Sequence, residues 1–143
     1  MQTEQISIFI ENKAGRLSDI TGILSKANIN IRALAVADTS DFGVLRLIVN
    51  DNAKAEEALK NSGFTVRKTR VVAVKVDDNP GGLHRILDIL KNAGINVEYM
   101  YAFIQQSGDK AIMIFRFDQT EEAIKILMDN GVTIIDESTL STL

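Results

Sequence analysis

Apolar and polar residues alternate near the start of the chain, where Ile6, Ile8 and Ile10 stand two apart, and again where Val72, Val74 and Val76 do. A period of two predicts a strand with one buried face. Each run meets a polar turn, Glu11-Asn12-Lys13-Ala14-Gly15 in the first case and Asp77-Asp78-Asn79-Pro80-Gly81 in the second. The spacing then becomes helical. Leu17, Ile20, Ile23, Leu24 and Ala27 form one apolar stripe with Arg16, Asp19 and Lys26 outside it. Leu83, Ile86, Leu87, Ile89, Leu90 and Ala93 form the other. Asn28 and Gly94 follow, residue types that accept the left-handed geometry common after a helix.

Second strands are predicted over residues 29–37 and 95–104, with turns at 38–43 and 105–110 leading back into strands over 44–49 and 111–117. Short helices rich in Ala, Glu, Lys and Leu follow over 53–61 and 119–129. Gly63 and Gly131 end them, and residues 64–68 and 132–136 make the last strands. The order is βαββαβ twice, an α+β fold of two ferredoxin-like units with antiparallel sheets and both helices on one face. The expected domains are residues 1–69 and 70–143, separated only by Thr69 and Arg70.

The two halves are copies of one unit. GRLSDITGILSKANINI at 15–31 and GGLHRILDILKNAGINV at 81–97 share Gly15/Gly81, Leu17/Leu83, Ile20/Ile86, Ile23/Ile89, Leu24/Leu90, Ala27/Ala93, Ile29/Ile95 and Asn30/Asn96. Further on, Glu56-Glu57-Ala58-Leu59 is matched with Glu121-Glu122-Ala123-Ile124, and Gly63-Phe64 with Gly131-Val132. Two copies are too few for a solenoid, and each is close to the lower size limit of a domain.

Composition narrows the function. At 143 residues, net charge −3 and pI near 5.2, the chain has no basic footprint for nucleic acid or an acidic membrane surface. It has no cysteine, which removes disulfides, thiolate metal sites and thiol catalysis. The first residues lack the pattern of a signal peptide, and no apolar run nears the roughly 18 residues needed to span a bilayer. A cytoplasmic protein is expected. With one histidine, His84, and no nucleophile beside a base, an enzyme is not expected; nor is a cofactor or a metal.

The twice-used turn, helix and strand, entered through Ala-Asn-Ile-Asn-Ile or Gly-Ile-Asn-Val, resembles the ACT domain family across nearly the whole chain. The resemblance is to a stand-alone tandem ACT protein with no attached enzyme. It implies a regulatory module that binds a free L-amino acid where ACT domains meet. Elementary chemistry fits that expectation. Gly15 and Gly81 leave the backbone open to a ligand, and the helix starting behind each presents free N–H groups suited to a carboxylate. Asn12 or Asp78, three residues earlier, would take an ammonium group. The resemblance extends the candidate contacts to Asn12, Ala14, Gly15, Arg16 and Leu17, and to Asp78, Pro80, Gly81, Gly82 and Leu83. It adds main-chain groups at the start of the second strand of a neighbouring domain, Asn30-Ile31 and Asn96-Val97.

The second strands are apolar on both faces, Leu34 and Val36 against Ala33, Ala35 and Ala37 in one copy, and Tyr99, Tyr101 and Phe103 against Met100, Ala102 and Ile104 in the other. Exposed edges of that kind invite association, and helices cover only one face of each sheet. A homodimer is therefore expected. The competing expectation is a regulatory subunit that docks on a separate metabolic enzyme, with or without ligand. Glu56-Glu57 and Glu121-Glu122 read as charges favouring a helix N-terminus.

Overall fold

The computed structural model describes residues 1–38, 40–104 and 108–143; the expected turns at 38–43 and 105–110 thus fall partly outside the described residues, at Thr39 and at 105–107. The chain forms two compact units, Glu4–Thr69 and Arg70–Leu143, the latter counted with Met1–Thr3.

In the N-terminal unit, β1 (Thr3–Glu11), α1 (Arg16–Lys26), β2 (Ile31–Asp38), β3 (Phe42–Val49), α2 (Asn52–Asn61) and the opening of β4 (Thr65–Asp77) follow one another. The strands lie in the order β2-β3-β1-β4. β1 and β3 run antiparallel with Ile6 opposite Leu47 and Ile8 opposite Leu45. Because side chains alternate across a strand, this register sends all four to one face. There they meet Ile20 and Leu24 from α1 and Ala55 and Leu59 from α2 in a single core. α1 closes as its composition suggests: Asn28 takes φ 59, and the Ile29 N–H returns to the Leu24 carbonyl at 2.9 Å.

The C-terminal unit repeats the plan with the rest of β4, α3 (Gly82–Asn92), β5 (Val97–Ala102), β6 (Lys110–Phe117), α4 (Thr120–Asp129) and β7 (Ile134–Ile135). β6 pairs antiparallel with β4, Val72 opposite Phe115 and Val74 opposite Met113. β5 lies on the far side of β6, and β7 on the other side of β4. Val72, Val74, Phe115 and Phe117 pack against Ile86 and Leu90 of α3 and Ala123 and Leu127 of α4.

Three details differ from the sequence reading. Thr69 and Arg70 are not a separator but strand, since β4 runs unbroken for 13 residues. The last strand shrinks to Ile134–Ile135, and a helix, α5 (Glu137–Thr142), follows it. Its cause is local: the Asp136 carboxylate accepts the Thr139 N–H at 2.8 Å and caps a new helix. Finally, Ala55 and Leu59 of α2 take the buried places that Ala123 and Leu127 hold in α4. Glu56-Glu57 therefore does not match Glu121-Glu122; the two pairs stand three residues out of step. Glu121 and Glu122 do lie in the first turn of α4. Glu56 lies further along α2, bound to Lys60 at 2.6 Å and Lys68 at 3.0 Å.

The register also places Tyr101, Phe103, Ile112 and Ile114 on the face away from α3 and α4, and Gln5, Ala33 and Ile48 on the face away from α1 and α2. All seven are buried within the chain. Leu34 and Val36 of β2, 43% and 48% exposed, are left open at an edge.

Candidate functional site

The two turns before α1 and α3 are built alike. Gly15 has φ 90 and ψ −14, and Gly81 has φ 89 and ψ −9, each as the residue that caps its helix. That left-handed conformation is available to glycine at little cost. A Cβ added at either would meet nothing within 4 Å, so the space in front of both turns is open. Backbone geometry, not crowding, demands the glycine.

Neither helix start is capped by a side chain, whereas Asp51 accepts the Lys54 N–H at 3.1 Å to cap α2. The amides of the first turn, those of Leu17 and Leu83 among them, therefore face an open turn at the positive end of a helix. α4 also lacks a side-chain cap but carries its own carboxylates, Glu121 and Glu122. The first turn of α3 has no acid; that of α1 has Asp19, held by Arg16 at 3.1 Å. By charge alone α3 is the better start for a carboxylate.

Asn12, Ala14, Asp78 and Pro80 are exposed on these turns, Arg16 and Leu83 are half-buried, and Leu17 is 44% exposed. Gly82 is buried, and a Cβ there would collide with the Asp77 carbonyl. It is required for the close approach of α3 to β4. His84 is exposed in the first turn of α3.

The strand starts are less open than expected. The Asn30 N–H donates to the Asn50 Oδ1 at 2.9 Å, and the Asn30 carbonyl accepts the Asn50 N–H at 3.3 Å. The second copy repeats this with Asp118: the Asn96 N–H donates to its carboxylate at 3.0 Å, and the Asn96 carbonyl accepts its N–H at 3.2 Å. Ile31 and Val97 pair with Val49 and Phe117. What Asn30 and Asn96 still present outward is an exposed side chain.

Nor do the two groups of candidates share a cleft within one unit. Asn30 and Ile31 line a hollow of about 480 Å³ with Thr21, Ser25 and Asn28, beside the C-terminal end of α1. Arg16 lines a different cleft of about 330 Å³ at the other end. The 11 residues of α1 set these ends roughly 16 Å apart.

The strongest ion pair near the turns is one the sequence did not single out. Lys110 Nζ donates to the Asp77 carboxylate at 2.8 Å. That hydrogen bond holds Asp77 below the usual carboxylate range and Lys110 above the usual lysine range. Among the described residues no cluster of His, Cys, Asp and Glu could hold a metal ion, and no helix is long and apolar enough to cross a membrane.

A family model described as the ACT domain pair matches residues 1–143. Among solved structures, protein BT0572 from Bacteroides thetaiotaomicron has a TM-score of 0.93 and 39% identity, over 100% of this chain and 98% of that one. The ligand-free regulatory subunit of aspartate kinase from Thermus thermophilus has a TM-score of 0.62 and 16% identity, over 88% of this chain and 90% of that one. At that identity the likeness is one of fold. The acetolactate synthase small subunit of Buchnera aphidicola subsp. Baizongia pistaciae (strain Bp) is 22% identical over 129 residues. That match takes in 90% of this chain, which spans 65% of the relative's length.

Proposed function

This chain belongs to the ACT domain pair family, and from that premise we propose that it is a regulatory sensor of a free L-amino acid, bound where two ACT domains meet. One observation carries the reading: two repeat-related glycines, both left-handed, each open in front and each followed by a helix start without a side-chain cap. Asn12 and Asp78 supply the acceptor for an ammonium group beside these carboxylate-binding amides. Since the strand-start residues of a unit lie at the far end of its own first helix, a neighbouring domain supplies them. The two repeats account for all 143 residues, so nothing in this stretch is assigned to catalysis.

The test is thermal unfolding of the purified protein against all the L-amino acids at millimolar concentration. One or a few related amino acids raise the midpoint, by an amount equivalent to about 2.7 kcal/mol where ligand reaches 100 times its dissociation constant. Silence from every amino acid would sink the sensor. It would leave the second reading, a subunit that docks on a separate metabolic enzyme. The likeness to a regulatory subunit of aspartate kinase and to an acetolactate synthase small subunit favours that reading, and co-purification of a metabolic enzyme with this protein tests it.

The open edge of β2, with Leu34 and Val36, supports pairing of two copies. Sedimentation velocity is expected to return twice the mass of the 15.7 kDa chain; a single-chain mass with and without ligand would end the dimer.

A further inference from the structure

The same cleft in the two repeats has taken opposite characters. In the N-terminal unit it lies between the end of β1, the start of α1 and the turn after α2, and measures about 330 Å³. Phe9, Ile10, Phe42 and Phe64 form its apolar wall, and Glu11 and Arg16 its polar edge. In the C-terminal unit the places of Phe9, Glu11, Phe64 and Thr65 are held by Lys75, Asp77, Val132 and Thr133. Only about 40 Å³ remains there, room for little more than a water. The Lys110–Asp77 bridge lines that remnant.

The open cleft has the size and lining of a small-molecule site: apolar and aromatic walls with a few polar groups at one side. Phe9 and Phe42 are 44% and 63% exposed, so a ligand that covers them removes apolar area from water. An adjoining hollow of about 280 Å³ shares both rings and adds Ala37 and Val44. The polar edge carries one charge of each sign. Arg16 Nη2 stands 3.8 Å from Glu11 Oε1, too far for a hydrogen bond. Arg16 Nη1 is already hydrogen-bonded to Asp19 at 3.1 Å, and Lys13 stands 3.5 Å from Glu11. A ligand carboxylate would meet the Nη2 side of the guanidinium, and an ammonium group would share the Glu11 carboxylate with Lys13.

We propose that the N-terminal repeat's cleft binds a zwitterionic amino acid with a large apolar side chain, its body against Phe9, Phe42 and Phe64 and its charged end between Glu11 and Arg16. This rests on the amino-acid-sensor reading, replaces Asn12 and the turn amides by Glu11 and Arg16 as the charged contacts in the N-terminal repeat, and names the ligand class. It also assigns one such ligand per chain, because the cleft of the C-terminal repeat is filled.

Calorimetric titration of the full chain tests it with L-phenylalanine, L-leucine, L-serine, L-aspartate and 3-phenylpropanoate. L-Phenylalanine or L-leucine is expected to bind at least tenfold more tightly than L-serine or L-aspartate, at one per chain. 3-Phenylpropanoate, which lacks the ammonium group, is expected to lose about tenfold against L-phenylalanine. Phe42→Ser, at an exposed position, should weaken binding about tenfold with the ligand-free melting midpoint unchanged. Arg16→Gln gives an independent readout should Phe42→Ser fold poorly, and should lose about as much. Tighter binding of L-serine or L-aspartate overturns this cleft but leaves the sensor standing. No binding by any amino acid overturns both. Apolar amino acids bound equally by the wild type, Phe42→Ser and Arg16→Gln place the ligand elsewhere and overturn the cleft.

Discussion

Gly82→Ala is expected to lower the stability of the C-terminal unit by about 3 kcal/mol, near the top of the range for an added methylene in a packed site. The measurement is the urea midpoint followed by circular dichroism, with the slope of the transition unchanged. Gly82 opens α3, and a Cβ on it would run into the carbonyl oxygen of Asp77 and come to 2.9 Å from its carbonyl carbon. Those are backbone atoms of a paired strand, and no side-chain rotation relieves the clash. Relief requires α3 to lift from β4, which would draw Ile86 and Leu90, 2% and 1% exposed, out of the core. A midpoint equal to wild type would show that α3 starts farther from β4 than its geometry requires. The variant also guards against a misreading. Any amino-acid response lost with Gly82 reports displaced packing, whereas loss on Gly81→Val reports the left-handed turn itself.

Phe115→Ala is expected to cost about 3–5 kcal/mol, the range for removing a fully buried aromatic ring. Phe115 is 0% exposed, stands opposite Val72, and stacks on Phe117 with ring centroids 5.4 Å apart and planes within 4°. Truncation leaves a cavity beneath both helices that Phe117 alone cannot fill. Phe42 makes the comparison: at 63% exposure its truncation should change the midpoint within about 0.5 kcal/mol. A loss below about 1 kcal/mol for Phe115→Ala would mean that the core collapses onto the gap.

The two predictions separate what holds the fold from what faces a ligand. Buried Phe115 and Gly82 belong to the first group, and exposed Phe9, Phe42, Asn12 and Asp78 to the proposed second. The chemistry a sensor requires is at the surface of each unit, in turns whose shape the core beneath them fixes.

Much of this was legible in the residues. Ile6, Ile8 and Ile10, or Val72, Val74 and Val76, must all face one side of a strand, and that side is buried. Asn28, Gly94, Gly63 and Gly131 took the positive φ their positions called for. Other elements were less legible. Residues 137–142 contain one apolar residue, Leu140, which offers no period to read; the helix there depends on the Asp136 cap. The register of α2 against α4 could not be read from Glu-Glu-Ala, because acidic pairs recur on many helices; the buried Ala55 and Leu59 settled it.

The sequence by itself determined the repeated βαββαβ order, the turn glycines and the family, because alternation, helical stripes and special backbone conformations are imposed by neighbours a few residues apart. Only the tertiary structure decided that Gly82 is fixed by the Asp77 carbonyl, that Asn50 and Asp118 occupy the main-chain groups of Asn30 and Asn96, and that the cleft measures about 330 Å³ in one repeat and about 40 Å³ in the other. Each of these depends on which strand lies beside which helix, and so on packing between segments that sequence spacing does not relate.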